Sequence, residues 1–456
     1  MNKAVYIQTY GCQMNQYDSE RIVQVLARHG YDPTERIDAA DLILLNTCSV
    51  RDKAEQKVYS ALGSWKEYKN NRDGVIIGVG GCVAQQEGAN LLKRVPHLDL
   101  VFGTHNIHKL PQMVEQVQES RARPVEIAFY RDPGYMEDAD GRTEVRGVKA
   151  FVTVMQGCNK VCSFCIVPHV RGRELSRPSF KILAEVESLV AKGIVEVMLL
   201  GQNVNSYGKL THGELSFADL LARIDAIDGM RRIRFTTSHP QDLSPELIEA
   251  FATLDHLCEH LHLPVQSGAD SVLARMRRGY TRDEYLSRIE RLRERRPDVA
   301  LSTDIIVGFP GESDLEFQQT LELLKQVQYD EIYSFSYSPR PQTVSAKLYD
   351  DDIPSEVKSH RLQTVQALQR QISLLKNRQR IDKLEEILVD GPSKLKNGQV
   401  MGRTRGNRIV NVIGPENLVG RLLPVRITGA TANSLIGEPF SDRSYLNSQL
   451  LKGDMA

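Results

Sequence analysis

Residues 157–165 read Gly-Cys-Asn-Lys-Val-Cys-Ser-Phe-Cys, which spaces three cysteines as Cys-x3-Cys-x2-Cys. An apolar run at 151–155 directly precedes this stretch, so a strand would deliver Cys158, Cys162 and Cys165 into one loop. Thiolates that converge in this way are the ligands of iron-sulfur clusters. Three of them leave one iron of a four-iron cluster without a protein ligand, and that iron can bind a small molecule.

A structural zinc site is the alternative for the same three cysteines, with His169 as the fourth ligand. The spacing favours the cluster. Phe164 and Ile166 favour it further, because they would place apolar side chains around a site that zinc knuckles usually leave polar.

The motif resembles that of the radical S-adenosylmethionine enzymes, whose three cysteines match Cys158, Cys162 and Cys165. The resemblance implies a [4Fe-4S] cluster whose open iron binds the amino and carboxylate groups of S-adenosylmethionine. It also implies that the reduced cluster cleaves S-adenosylmethionine to a 5'-deoxyadenosyl radical. The protein would then hold cluster and cofactor in a dry cavity against the atom to be attacked.

The composition predicts a globular protein with a basic C-terminal region. The chain has 456 residues, enough for two to four domains, and an ordinary charged fraction of 25%. Its formal net charge is zero, yet residues 355–426 contain fourteen Lys and Arg against six Asp and Glu. This asymmetry predicts that the region faces a polyanion.

Membrane insertion and export are not expected. No apolar run approaches the roughly 20 residues that span a bilayer, and the residues after Met1 enter a strand pattern instead of a signal peptide. Seven cysteines are too few for a disulfide scaffold in a chain of this length. We therefore expect a cytoplasmic protein in which six cysteines form two triads and Cys258 is a buried apolar residue.

Strand and helix patterns alternate through the first 119 residues, which predicts an α/β domain with a Rossmann-like parallel sheet and right-handed crossovers. The strands are predicted at 5–9, 42–46, 75–79 and 98–102, and the helices at 18–29, 52–68, 84–94 and 106–119.

Cys12, Cys48 and Cys82 each follow one of the first three predicted strands. The carboxyl ends of parallel strands share one edge of the sheet, so these cysteines can meet although they are far apart in sequence. A second three-cysteine iron-sulfur cluster is the more specific interpretation. Three unrelated buried cysteines are the alternative.

After a charged segment containing Pro and Gly, the central region predicts a partial (β/α)6 barrel of the TIM type. Six strand patterns alternate with helices, too few for a closed eight-stranded barrel. An open barrel would admit a macromolecular substrate from the side. The strands are predicted at 150–155, 195–200, 233–237, 260–264, 302–307 and 331–337.

Polar residues at or near the carboxyl ends of these strands are candidate cofactor contacts, because such ends form the binding face of barrel enzymes. In the radical enzymes the segment after the second strand usually contacts the methionine amino group. An ordinary turn or cap residue is the alternative at each position. The candidates are Gly201, Gln202, Ser238, Gln266 and Asp304. Arg171 and Arg173, close after Cys165, could instead pair with a carboxylate or phosphate.

The C-terminal region predicts a helix and then a small antiparallel β-barrel of the oligonucleotide-binding type. Helical spacing covers 354–388, and period-two segments with turn residues follow as far as 437. Arg403, Arg405 and Arg408 lie close together in this barrel, which favours phosphate binding over an ordinary solvated surface.

The complete pattern resembles the methylthiotransferases, which combine an N-terminal three-cysteine domain, a radical S-adenosylmethionine core and a TRAM domain. Three stretches resemble the branch that acts on transfer RNA. They are 8–15 (Gln-Thr-Tyr-Gly-Cys-Gln-Met-Asn), 46–51 (Asn-Thr-Cys-Ser-Val-Arg) and 81–86 (Gly-Cys-Val-Ala-Gln-Gln). Branches that act on a ribosomal protein or on threonylcarbamoyladenosine tend to show Pro-Lys-Asn or Lys-Val-Asn at 13–15.

This resemblance implies an N-terminal domain over 3–119, a linker over 120–147, a radical core over 148–375 and an RNA-binding TRAM domain over 378–441. It implies that Cys12, Cys48 and Cys82 hold an auxiliary [4Fe-4S] cluster that supplies sulfur. Two molecules of S-adenosylmethionine would then serve as methyl donor and radical source, and C2 of N6-dimethylallyladenosine 37 in tRNA would receive the methylthio group.

The expected partners are a tRNA anticodon stem-loop and an electron donor such as flavodoxin or ferredoxin, with the enzyme a monomer. A basic barrel would attract an anticodon stem-loop and repel a basic ribosomal protein. A methylthiotransferase for another substrate, or a non-catalytic iron-sulfur protein that binds RNA, are the alternatives.

Overall fold

The computed structural model describes residues 2–49, 52–131, 136, 147–393 and 398–440. The chain forms two compact units, and the predicted core at 148–375 contributes to both. The predicted domain bounds stay a prediction, and part of the predicted linker at 120–147 lies outside the described residues. The first unit contains Met1–Ala250, Ala274–Gly279 and Ser338–Asp351, and the second contains Phe251–Leu273, Tyr280–Tyr337 and Asp352–Ala456.

The N-terminal part of the first unit is a six-stranded parallel sheet of order β2-β1-β3-β4-β5-β6, which confirms the predicted fold class. The central strand β3 is buried along its whole length, as expected for a parallel sheet covered on both faces. The strands are β1 (Lys3–Thr9), β2 (Tyr31–Pro33), β3 (Leu42–Thr47), β4 (Ile76–Gly81), β5 (Leu100–Phe102) and β6 (Val125–Glu126).

The two outer strands, β2 and β6, were not predicted, because segments of two or three residues are too short to show an alternating pattern. Strand β6 lies inside the predicted linker. The helices of this part are α1 (Gln13–Ala27), α2 (Asp52–Asn71), α3 (Cys82–Glu87), α4 (Ala89–Arg94) and α5 (Leu110–Ser120). The single helix predicted over 84–94 is two helices separated by Gly88, whose positive φ of 51° breaks the helical backbone.

A second parallel sheet in the same unit has the order β11-β10-β7. Its strands and the short antiparallel pair beside it are β7 (Lys149–Thr153), β8 (Met155–Gln156), β9 (Leu175–Ser176), β10 (Glu196–Leu200) and β11 (Arg232–Phe235). The helices from this region are α6 (Val167–Val170), α7 (Ser179–Ala191), α8 (Phe217–Asp225) and α9 (Pro245–Thr253).

Helix α1 connects the two sheets of the first unit. Met14 and Tyr17 on this helix form a buried cluster with Leu200 of β10, against which Phe151 of β7 also packs. The same helix therefore borders both the N-terminal cysteine region and the strand that leads into the cysteine motif.

The second unit contains a third parallel sheet, of order β12-β13-β14. Together the second and third sheets hold the six parallel strands that were predicted for the central region. Helices α11 and α12 each begin at a capping box, formed by Thr281 with Glu284 and by Ser313 with Glu316. The elements of this unit are β12 (His260–His262), α11 (Arg282–Arg295), β13 (Ala300–Val307), α12 (Asp314–Val327), β14 (Glu331–Ser336) and α14 (Ser355–Arg378). Helix α10 (Asp270–Arg275) begins in this unit and ends in the first, and α13 (Val344–Leu348) belongs to the first.

The C-terminal part of the second unit is a closed five-stranded barrel of order β15-β16-β17-β19-β18. Four of its strand pairs are antiparallel as predicted, whereas β17 and β19 pair in parallel. Helix α14 ends before the predicted 388, because the residues from Leu384 pair with two neighbouring strands. The strands are β15 (Leu384–Pro392), β16 (Gln399–Thr404), β17 (Ile409–Ile413), β18 (Leu422–Ala430) and β19 (Leu435–Pro439).

Arg405 attaches this barrel to the strand region of its own unit. Its Nε and Nη2 atoms donate to the Glu259 carboxylate at 2.9–3.0 Å, and Nη2 also donates to the carbonyl oxygens of Asp255 and Leu257. Burial alone would raise the pKa of Glu259, but the hydrogen bonds and charge of Arg405 outweigh it, and the pKa is lowered below 4.5.

We predict that Arg405→Ala lowers the free energy of unfolding by about 2 kcal/mol, since a largely buried carboxylate loses its bidentate partner and retains its ion pair with Arg296. Chemical denaturation checks this. The folded-state pKa of Glu259 is depressed, so the stabilisation is fully present above the unfolded value near 4.5 and is lost as the pH falls through the folded value.

The matched control is Arg421→Ala, which removes an exposed arginine from the same barrel and should change the free energy of unfolding by no more than about 0.5 kcal/mol. Equal losses in the two variants at neutral pH would contradict the role given to Arg405.

Candidate functional site

The predicted cysteine motif lies in a loop that follows β8. The glycine at 157 has a φ of 79°, and a Cβ there would lie 2.0 Å from the Arg173 carbonyl oxygen, so only glycine fits. The Gln202 side chain accepts from the Gly157 amide at 2.5 Å, and the Cys158 amide donates to the Gly172 carbonyl at 3.2 Å. These bonds fix the backbone at the first cysteine.

The three thiols of the loop interact electrostatically with one another, as convergence of the motif predicts. Buried Arg278 donates from Nη1 to the Cys162 sulfur at 3.3 Å. Burial raises the pKa of Cys158 to about 11 and that of Cys165 to about 12. A metal held by these thiols would therefore have to displace their protons, which is the usual coupling between thiolate ligation and metal uptake.

Buried polar side chains tie the ends of the neighbouring strands β3 and β4 to helix α1. Asn15 donates from Nδ2 to Asn46 Oδ1 at 3.1 Å and to the Thr47 carbonyl at 2.9 Å. Thr47 in turn donates to the Gly80 carbonyl and accepts from the Val83 amide. This network holds the first turn of α1 and the ends of β3 and β4 together.

The first cysteine triad lies in one region of the structure, just beyond the ends of β1, β3 and β4. Its members are Cys12, Cys48 and Cys82. A hydrogen bond from Cys48, opposed by partial desolvation of the thiol and assisted by the charge of Arg171, lowers the pKa of Cys12 to about 6. Burial raises the pKa of Cys82, whose thiol also interacts with that of Cys12. Cys48 and Cys82 are 4% exposed, whereas Cys12 is open to solvent.

The segment 170–173 joins the two cysteine regions. Thr104 donates to the Val170 carbonyl at 2.8 Å, and His105 Nε2 donates to the Arg171 carbonyl at 2.9 Å. Burial lowers the pKa of His105 to about 4, so its ring is neutral at neutral pH. Since Gly172 accepts from Cys158, one short segment bonds to both the N-terminal domain and the motif loop.

Side-chain packing makes a second connection between the regions. Cys82, Ile166 and Val170 form one buried cluster, so a cysteine of the first triad shares a cluster with the residue that follows the last cysteine of the second. The sequence predicted that Ile166 contributes an apolar side chain beside the motif. In the structure the apolar cluster that contains Ile166 also contains Cys82.

The zinc alternative gains no support from the geometry. His169 is exposed, and within the described ranges no three His, Cys, Asp or Glu side chains are grouped closely enough to hold one metal ion. A cluster distributes its thiolates over separate iron atoms, so the triads can serve a cluster without forming such a group.

The predicted cofactor contacts of the first unit follow β10 and β11. Gly201 is buried against Met155, whose Cγ would lie 2.5 Å from a Cβ at that position. Gln202 holds the motif loop. Ser238 is buried, and its Oγ has no hydrogen-bond partner in the part of the chain that the structure describes. A buried polar atom of this kind fits a bound ligand.

The other two predicted contacts lie in the second unit. Gln266 is 7% exposed, and its Oε1 lacks a partner among the described residues. Asp304 lies on β13 beside His262, whose Nε2 is 3.5 Å from the carboxylate. Tyr333 packs edge-on against the same histidine at 5.7 Å and is 41% exposed.

His262 and Tyr333 were not predicted from the sequence. Strand register is the signal that identifies them. Asp304 pairs in register with Tyr333, and Ser302 pairs with His262, and paired residues of parallel strands share a face. Strand alternation alone does not show which face of a sheet is polar and open.

The three arginines predicted to bind RNA make contacts inside the protein. Arg405 bonds to Glu259, Arg408 pairs with Asp330, and Arg403 Nε lies 3.7 Å from Asp390. Arg403 is the most exposed of the three side chains, at 34%. RNA contact by these residues stays a prediction.

Three family models match consecutive parts of the chain. The model described as Uncharacterized protein family UPF0004 matches residues 4–103, the Radical SAM superfamily matches 152–324, and the TRAM domain matches 380–440. In the parts of the chain that the structure describes, no helix is both long enough and apolar enough to cross a membrane.

Two curated relatives match nearly end to end. A tRNA-2-methylthio-N(6)-dimethylallyladenosine synthase from Geobacter metallireducens is 54% identical over 96% of this chain and 98% of its own length. The enzyme of the same name from Syntrophotalea carbinolica is 52% identical over 96% and 99%.

Solved structures show likeness in fold alone. The radical S-adenosylmethionine methyltransferase TsrM from Kitasatospora setae, with cobalamin and a [4Fe-4S] cluster bound, has a TM-score of 0.58 and 14% identity over 76% of this chain and 77% of its own. The cobalamin-dependent radical enzyme OxsB has a TM-score of 0.50 and 13% identity, covering 81% and 56%.

We predict that Cys158→Ala abolishes conversion of S-adenosylmethionine to 5'-deoxyadenosine by anaerobically reconstituted, dithionite-reduced protein, because the motif cluster loses a ligand. Chromatography of the nucleoside products checks this. Cys258→Ala removes a buried cysteine that belongs to neither triad and should leave cleavage intact. Undiminished cleavage by Cys158→Ala would exclude the motif as the radical site.

Proposed function

Because the chain belongs to the tRNA-2-methylthio-N(6)-dimethylallyladenosine synthase family, we propose that it inserts a methylthio group at C2 of N6-dimethylallyladenosine 37 in tRNA. It is a radical S-adenosylmethionine enzyme with an iron-sulfur cluster. The observation that carries the proposal is the joining of two cysteine triads by segment 170–173 within one compact unit.

Cys158, Cys162 and Cys165 would hold the cluster of the radical site. When bound there with S-adenosylmethionine, the cluster supplies a radical that can take hydrogen from carbon. The target C2–H is an unactivated aromatic bond without an acidic proton, so no general base of the chain could remove it. The chain's own task is to fix the loop, through Gln202 and Arg278.

Cys12, Cys48 and Cys82 would hold an auxiliary [4Fe-4S] cluster that supplies the sulfur. Their position at the carboxyl ends of parallel strands supports this role, since such ends are where open sheets bind ligands. The packing of Cys82 and Ile166 in one buried cluster supports a short path between the sulfur source and the radical site.

Gly201, Gln202, Ser238, Gln266 and Asp304 are the proposed contacts of S-adenosylmethionine. Two observations support them. Gly201 leaves room for no side chain, and the buried polar atoms of Ser238 and Gln266 are satisfied by no group in the described parts of the chain. Ligand atoms would remove the free-energy cost of leaving them unpaired.

The TRAM barrel would bind the anticodon stem-loop, with Arg403 as the side chain best exposed for a phosphate. Position 37 lies in a single-stranded loop, so moving its base out of the stack costs little. The monomeric state, a donor such as flavodoxin or ferredoxin, and a cytoplasmic location stay predictions from the sequence.

We predict that Cys48→Ala still forms 5'-deoxyadenosine but no longer makes methylthioadenosine, because only the sulfur source loses a ligand. Mass spectrometry of digested tRNA measures the added methylthio group, and the deoxyadenosine formed in the same reaction is the internal control. Methylthioadenosine at the wild-type level would refute the sulfur role of the N-terminal triad. If the wild-type enzyme added the methylthio group to another nucleoside, the proposed substrate would be wrong.

We predict that Arg403→Ala weakens tRNA binding roughly tenfold at low salt, as expected for the loss of one charge-assisted phosphate contact. The slope of log affinity against log salt should also fall by about one. Filter binding at several salt concentrations checks both.

The matched control is Arg36→Ala, which removes an exposed N-terminal arginine that likewise pairs with an aspartate. Its affinity and salt slope should equal those of the wild type. Equal behaviour of the two variants would show that Arg403 makes no phosphate contact.

A further inference from the structure

Tyr333 presents an aromatic ring on an open face of the second unit. The residue lies on β14 and is 41% exposed, although burial of an aromatic ring is a large source of stability. His262 packs edge-on against the ring, with the two centroids 5.7 Å apart. The ring is therefore held by the protein on one side, and much of its surface remains open to a ligand.

The sheet places this ring directly beside the proposed cofactor contacts. The Gln266 amide donates to the Asp304 carbonyl at 2.9 Å, and Asp304 pairs in register with Tyr333. Paired residues of parallel strands share a face and lie about 4.8 Å apart. Among the described strands β14 pairs with β13 alone, so Tyr333 lies one strand further out than Asp304, on the edge of the sheet. A molecule that lies on the ring is next to a cofactor held at Asp304.

The charges around the ring suit a nucleotide of RNA. Burial and then the Glu331 carboxylate raise the pKa of Tyr333, whereas the charge of Arg403 lowers it. The phenol is therefore protonated at neutral pH, and the Arg403 guanidinium of the barrel lies within electrostatic range of it. Proteins bind single-stranded nucleic acid with such pairs, because the ring stacks on a base and the cation attracts the phosphate backbone.

The adenine of S-adenosylmethionine is the other flat group available to this ring. S-adenosylmethionine has no phosphate and carries a positive sulfonium, so the charge of Arg403 does not favour it. An RNA nucleotide brings both a base and a phosphate. The target base must also come close to the cofactor, because reacting atoms approach to about 3–3.5 Å. The target nucleotide therefore fits the position better than the cofactor does.

We propose that Tyr333 binds the substrate, and that its ring stacks on the adenine at position 37 after that base leaves the anticodon loop, while Arg403 pairs with an adjacent phosphate. The inference rests on the proposed function. Enzymes that act on a base take it out of its stack and hold it against aromatic side chains, which replaces part of the lost stacking. Stacking tolerates every base, so Tyr333 holds the adenine in place and does not select it.

The test measures whether Tyr333 and base 37 contribute to binding through each other. Anaerobically reconstituted full-length protein, wild type or Tyr333→Ala, is titrated without reductant with two anticodon stem-loops. One stem-loop carries N6-dimethylallyladenosine at position 37, and the other has no base there. The four dissociation constants form a double-mutant cycle, which isolates the interaction between ring and base. A purely structural Tyr333 would affect both RNAs equally.

We expect Tyr333→Ala to raise the dissociation constant about tenfold for the intact stem-loop and by less than about twofold for the stem-loop without the base. Tyr333→Phe keeps the ring and should bind both RNAs as the wild type does. Equal losses on the two RNAs, or no loss on either, would overturn the proposal. Coupling to the base at 36 or 38 in place of 37 would overturn it as well.

The matched control is Phe180→Ala, which removes an exposed aromatic ring from α7 in the first unit. Its dissociation constants for both RNAs should equal those of the wild type. A loss on the intact stem-loop as large as that of Tyr333→Ala would overturn the role given to the Tyr333 ring.

A second measurement does not depend on the folding of Tyr333→Ala. In protein grown with 3-fluorotyrosine, the fluorine resonance of Tyr333 is the one that Tyr333→Phe lacks. The intact stem-loop should shift this resonance through the ring current of the stacked base, and equal shifts by the two RNAs would overturn the proposal. Wild-type protein that forms no methylthio product on the intact stem-loop would refute the proposed function and this inference together. Normal product without coupling between Tyr333 and base 37 would refute the inference alone.

Discussion

The buried hydrogen bonds among Asn15, Asn46 and Thr47 are the constraint on which the N-terminal site depends. Asn15 and Thr47 are 0% exposed and Asn46 is 1% exposed, so each bond forms away from water and its loss would leave buried groups unpaired. The network fixes where α1 begins relative to the ends of β3 and β4. Cys12 lies where that helix begins, and Cys48 and Cys82 follow those strand ends, so polar contacts between neighbouring elements set the spacing of the three cysteines.

The same region explains how two chemical steps could occur in one protein. Helix α1 packs on the sheet that leads to the motif, and segment 170–173 bonds to both cysteine regions. A parallel sheet places ligands beyond its strand ends, and the chain sets two such sheets side by side in one unit. The connection is made of short bonds to backbone carbonyls, a rigid arrangement compared with long exposed side chains.

Much of the fold and of the cysteine sites was predictable, because both follow from local patterns: strand and helix periodicity, and thiols spaced within a loop or set at strand ends. The buried ion pair between Asp18 and Arg171 was not, since its partners are distant in sequence and each also fits a solvated surface. The parallel β17–β19 pairing and the contacts of Arg405 were missed for the same reason. Both depend on which elements become neighbours, and periodicity does not carry that information.

The unequal exposure of the N-terminal cysteines has a consequence for handling the protein. Cys48 and Cys82 are buried, whereas Cys12 is open to solvent at the start of α1. In protein prepared without iron, an alkylating agent or dissolved oxygen reaches Cys12 before the other two, and oxidation beyond the sulfenic acid is irreversible. Damage acquired in air would thus begin at a single sulfur atom, which is one of the three ligands proposed for the auxiliary cluster.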